Sequence, residues 1–138
     1  MIRKATAADE MQIRECAVKA YARYVQRIGR VPAPMVADYA SQIAAGYGFI
    51  ATDDQGTFQG FVVFYAADVH MLLENVAVLP EAAGHGVGRT LIAFCENAAR
   101  DRGFKAVHLY TNEMITENLK MYLKFGYTEV ARRTEDGF

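Results

Sequence analysis

Three glycines at alternate positions, Gly84, Gly86 and Gly88, follow the apolar segment Val76-Ala77-Val78-Leu79-Pro80 and run into Arg89-Thr90-Leu91. Residues without a side chain let the backbone turn so that successive N–H groups face one concavity, and a helix beginning there adds the positive end of its dipole. Such a loop suits capture of a phosphate or diphosphate by backbone amides, with no cationic side chain required. A plain glycine-rich surface turn would have the same composition. The position between a strand and a helix favours phosphate binding.

Spacing separates the kinds of phosphate loop. The nucleoside triphosphatase loop places Gly-Lys-Ser/Thr four residues after its first glycine, whereas here Gly84 precedes His85 and Arg89-Thr90 stands where Lys-Ser belongs. The dinucleotide fingerprint G-x-G-x-x-G begins directly after its strand. Here Pro80 to Ala83 intervene and the third glycine comes one residue early. The loop is similar instead to the pyrophosphate loop of the acyl-CoA-dependent N-acetyltransferases of the GNAT superfamily, Gln/Arg-x-x-Gly-x-Gly/Ala after a strand ending in Val-x-Pro, with Gly86 and Gly88 at the glycine positions. The resemblance extends further. Leu73 to Pro80 resembles that family's central strand, Leu91 to Arg102 the helix after the loop, and Asn118 to Tyr127, ending Tyr122-Leu123-Lys124-Phe125-Gly126-Tyr127, its C-terminal signature. Two positions depart from the pattern: Ala83 replaces the Gln/Arg, and Ile115 stands where many members have an Asn that reaches the cofactor, a contact for which Asn118 is the substitute.

The resemblance implies transfer of an acetyl group from acetyl-CoA, as cosubstrate, to a primary amine of a small molecule or peptide by direct attack. The backbone of Val76, Ala77 and Val78 would meet the pantetheine arm, and Gly84, His85, Gly86, Val87, Gly88 and Arg89 the diphosphate, through amides and not the His85 imidazole. Tyr122 takes the family's tyrosine position, from which a phenol hands its proton to the departing thiolate; as Leu119, Tyr122 and Leu123 share a helical face, core packing is its alternative. Glu74 lies on the face of Val76 if strand pairing is regular, where a carboxylate can take the amine proton through water; a solvated or ion-paired strand residue is the other reading. Tyr24 and Arg27, with Arg30, sit where the family's first two helices border the acceptor pocket. A non-catalytic acyl-CoA-binding or regulatory module would keep the loop without the chemistry, and a dinucleotide oxidoreductase fits less well.

The elements that must position these residues can be read along the chain. A short strand at Ile2 to Ala5 leads through the capping-box pattern Thr6-Ala7-Ala8-Asp9 into a helix with Ile13, Cys16, Ala17, Ala20 and Tyr24 on one face. After Gly29 to Pro34 a second helix starts at Pro34 and carries Met35, Tyr39 and Ile43 to Gly46. Gly48 to Thr52, a turn at Asp53-Asp54-Gln55-Gly56, Phe58 to Tyr65 and Val69 to Val78 read as an antiparallel meander. The helix Leu91 to Arg102 then crosses to a strand at Ala106 to Tyr110, which makes a parallel pair. The expected fold is α/β (α+β), the acyl-CoA N-acyltransferase fold: a mixed, mostly antiparallel sheet with a central parallel pair, flanked by helices, in one domain over 1–138. Tyr127 to Arg133 reads as a last strand, and the chain stops at Phe138 where the family commonly continues into one more. That final partner strand is expected to be missing, leaving an edge that charge or a homodimer contact would cover.

Composition adds exclusions. With 138 residues and 52% of them hydrophobic, the chain can bury one substantial core. A formal net charge of -1 and the lack of a basic block argue against a nucleic-acid partner, and no apolar run approaches membrane-spanning length. With no signal-peptide core at the N-terminus, a cytoplasmic protein is expected. Cys16 and Cys95, far apart with no nearby ligand partners, read as core residues, and no metal site is expected.

Overall fold

The computed structural model describes residues 1–22, 37–67 and 70–109. Among the described residues five strands form one sheet in chain order: β1 (Ile2–Lys4), β2 (Gly48–Thr52), β3 (Phe58–Ala67), β4 (His70–Val78) and β5 (Val107–Leu109). The first four pair antiparallel; β4 and β5 pair parallel, with Met71 opposite Val107 and Leu73 opposite Leu109. The mixed sheet and the parallel pair are as the sequence predicts.

Both faces of this sheet are covered, which is why β3 is apolar almost throughout (Phe61-Val62-Val63-Phe64) instead of alternating with polar residues. On one face lie α1 (Glu10–Tyr21) and the short α2 (Tyr39–Ala44). Ile13, Cys16, Ala17 and Tyr21 of α1 recur at helical spacing and pack with Tyr39, Ile50, Phe61, Val63 and Ala77. On the other face α3 (Val87–Asp101) buries Val87, Leu91, Ile92, Cys95 and Ala99 against Val62, Phe64, Met71, Leu73 and Val76. A large apolar side chain fully withdrawn from water, such as Phe61 or Leu91, contributes about 1.5–3 kcal/mol. Cys16 and Cys95 fall in the two different cores. Burial pushes both thiols up to about 12, as expected of inert packing residues.

Local chemistry sets the element ends. A single turn of 3₁₀ helix at Ala7–Asp9 opens α1, where Asp9 accepts from the Thr6 N–H at 2.8 Å and from two nitrogens of Arg3 at 2.8 and 2.9 Å. In α2, Asp38 is the N-cap and accepts from the Ser41 N–H at 3.1 Å; the expected helix start at Pro34 lies outside the described residues. It ends in a Schellman motif. Gly46, at φ 82, donates to Ile43 O, and Tyr47 N–H donates to Gln42 O, each at 3.0 Å. The β2–β3 turn closes as predicted, with Gly56 at φ 81 donating to Asp53 O. Among the described residues no helix is long and apolar enough to cross a membrane, and no cluster of three His, Cys, Asp or Glu could hold a metal ion. The expected final strand at 127–133 and its missing partner lie outside the described residues.

Candidate active site

Between β4 and α3 the chain makes a 3₁₀ turn, Pro80–Ala82, and then the glycine loop. Gly84 and Gly86 both adopt left-handed backbone, at φ 85 and 80, and Gly86 is the N-cap of α3. A side chain at either position would meet nothing within 4 Å, so open space lies over both. The first intrahelical bond is Thr90 N–H to Gly86 O at 3.0 Å, reinforced by the Thr90 hydroxyl at 2.9 Å. The amides of Val87 and Gly88 therefore belong to the first turn, whose N–H groups have no partner within their own helix. Val87 turns its side chain into the core, so only its backbone faces the loop; Gly84, His85, Gly86 and Arg89 are exposed. This is an amide cradle at a helix N-terminus, the geometry that accepts an anion.

Upstream, β4 departs from regular pairing. Val63 lies opposite Asn75 and its neighbour Phe64 opposite Leu73, so Glu74 is the extra residue of a β-bulge. The bulge resets the alternation: Met71 and Leu73 face α3, as does Val76, while Asn75 and Ala77 face α1 and α2. The expectation that Glu74 shares a face with Val76 fails for this reason. Its carboxylate instead lies toward α2, where Oε1 accepts from the Tyr65 hydroxyl at 2.7 Å and Oε2 from the Gln42 side-chain amide. Burial, and secondarily the bond to Glu74, pushes the Tyr65 phenol up to about 12, so it remains a donor across the physiological range. Tyr65 also stacks on Tyr47 with ring centroids 4.8 Å apart.

Beside it, buried Asn75 ties both helices to the sheet. Its Oδ1 accepts from the Tyr21 hydroxyl at 3.0 Å and its Nδ2 donates to the Tyr39 hydroxyl at 2.9 Å; Tyr21 also approaches the Val76 carbonyl at 3.4 Å. Burial, as the largest cause, raises the Tyr39 phenol far above its usual range. Tyr39 further packs edge-on against Phe61. Sequence reasoning missed Gln42, Tyr47, Tyr65 and Asn75. The signal for the bulge was present: Glu74-Asn75 is a polar pair inside an apolar strand, and regular alternation would force one of the two into the α3 core.

A sequence model of the acetyltransferase (GNAT) family matches residues 13–127. The chain belongs to the GNAT acetyltransferase family. Solved structures of several proteins share the fold of this GNAT chain. The tetramutant of the BH1408 protein from Bacillus halodurans matches with a TM-score of 0.83 at 14% identity, covering 98% of this chain and 97% of that one. The PaiA N-acetyltransferase of Thermoplasma acidophilum, in complex with coenzyme A, gives 0.74 at 18% identity over 99% and 93%. Aminoglycoside N-acetyltransferase AAC(6')-Iy, in complex with CoA, gives 0.72 at 20% identity over 98% and 91%. No curated protein matches the sequence.

In this GNAT chain the glycine loop and β4 meet at one end of the sheet, and the parallel partner β5 is paired with β4 from Met71 to Leu73. Glu74 to Val78 extend beyond the last of those pairs, toward the loop. Of the other residues that the sequence singles out, Tyr24, Arg27, Arg30, Asn118 and Tyr122 lie outside the described residues.

Proposed function

We propose that this acetyltransferase transfers an acetyl group from acetyl-CoA to a primary amine of a small molecule or peptide. The observation that carries the reading is the left-handed pair Gly84 and Gly86 at the start of α3, directly after the strand that bears Glu74. The amides of Gly84 to Arg89 hold the diphosphate, and the backbone of Val76, Ala77 and Val78 receives the pantetheine arm, with Asn118 as a further cofactor contact. The reaction forms an N–C bond and breaks the thioester C–S bond. The ammonium must lose a proton, and the leaving thiolate gains one. Glu74 is assigned the first task, through water, and Tyr122 the second. Tyr24 and Arg27 border the acceptor. A protein of the same fold, the aminoglycoside N-acetyltransferase, supports an amine of a small molecule as acceptor.

Mass spectrometry of the purified protein for retained CoA, followed by thiol release across a panel of amines, tests the proposal. Binding of acetyl-CoA with amine-dependent thiol release is the expected result. Binding without release from any amine would leave a non-catalytic acyl-CoA-binding module, and absence of binding would overturn the loop assignment.

A further inference from the structure

The surroundings of Glu74 contain more than a base requires. The carboxylate is half-buried, both of its hydrogen-bond donors are neutral, and among the described residues no cation lies within ion-pairing distance of it. A negative charge drawn partly out of water without a counter-charge is costly, and the cost is relieved when a cation arrives. Two neighbours point the same way. Gln42 turns its amide nitrogen to Glu74, which leaves its Oε1 buried with no donor. The stacked Tyr47 and Tyr65 rings, one of them bonded to the carboxylate, offer π faces of the kind that attract ammonium groups. Acceptors and π faces gather here, and the Gln42 amide and the Tyr65 hydroxyl already donate to Glu74.

We propose that Glu74, Gln42, Tyr65 and Tyr47 form the pocket for the acceptor's ammonium group, with Gln42 and Tyr65 as positioning residues that aim the Glu74 carboxylate. This deepens the acetyl-transfer reading and rests on it for the fate of the bound amine. The fold assembles the pocket locally. The Schellman motif after α2 bonds Tyr47 N–H to Gln42 O, which fixes these two residues together, and the bulge turns Glu74 toward them. The site therefore selects amines that arrive protonated over neutral nucleophiles of similar shape.

The test titrates the full chain with n-butylammonium and, separately, n-butanol, followed by NMR shifts, with and without CoA. The ammonium should bind about tenfold to a hundredfold more tightly than the alcohol, the range for hydrogen bonds to a charged group. Glu74→Gln should abolish that ratio, and Tyr65→Phe and Gln42→Leu should each reduce it about fivefold in protein whose CoA affinity is that of the parent, which a general loss of packing would not do. Equal affinity for the two probes, or a ratio unmoved by all three substitutions in folded protein, overturns the pocket. Acetyl-CoA titrated into the same protein tests transfer separately: ammonium preference without acetyl-CoA binding keeps the pocket and discards transfer, and the converse result does the reverse.

Discussion

Glu74 and Asp9 are carboxylates in opposite circumstances, and each yields a prediction. Asp9 is buried and bound by Arg3, whose side-chain hydrogen bonds are the largest cause holding it down at about 2. Between the ordinary carboxylate value and about 2, the unfolded chain binds a proton that the native protein does not. The Arg3 to Asp9 contribution is therefore complete above about pH 4 and is lost as the pH falls through 2. Asp9→Asn should lower stability at neutral pH by about 1–2 kcal/mol and flatten the acid limb of a denaturation series; an unchanged limb would assign that limb to other groups. Glu74 carries no such ion pair among the described residues. Under the proposed mechanism Glu74→Gln should reduce turnover by about two to four orders of magnitude with acetyl-CoA affinity intact, and Tyr122→Phe should do the same. Wild-type turnover in either variant returns that residue to structure.

At the scale of elements, the glycine loop depends on backbone that β-branched residues adopt only under strain. Gly86→Val should block close approach of the diphosphate and weaken CoA binding at least about tenfold, beyond a folding penalty of about 1–2 kcal/mol. Calorimetric binding to the folded variant at parental affinity would show that the loop does not hold the diphosphate. Most elements were legible in the chain: the meander, the loop, α3 and the parallel crossover follow from apolar period, turn chemistry and glycine placement. The cap of α2 was not, because Asp38 lies inside the stretch from Pro34 to Gly46 that periodicity reads as one helix, whereas it is the N-cap of Tyr39–Ala44. The bulge was signalled by the polar pair Glu74-Asn75 but passed over, since regular alternation gives each residue one partner and Glu74 has none on β3. Its consequence for the site was large: the surroundings of Glu74, and with them Gln42, Tyr65 and Tyr47, became readable only when the ladder did.

Among the described residues the sheet lies between two apolar layers, with Leu79 packed against both, and its strands approach one another closely. Among the described glycines Gly60 has the least room. A side chain there would lie 2.6 Å from the Ala77 carbonyl oxygen, a backbone atom with little freedom to move. Gly60→Ala should therefore destabilise the protein by about 1–3 kcal/mol in urea unfolding, a strain that a substitution at open Gly56 lacks, apart from its positive φ. The bulge carries a different lesson about the chain as a whole. Remove Glu74 outright, and Leu73 is followed by Asn75: Phe64 and Val63 still find their present partners, Val76 still faces α3, and Ala77 still faces α1. A strand one residue shorter would be a continuous ladder with every core residue in place. The sheet, then, has no use for residue 74, and under the proposed mechanism a chain deleted at that position would keep its ladder and lose the carboxylate assigned to the amine.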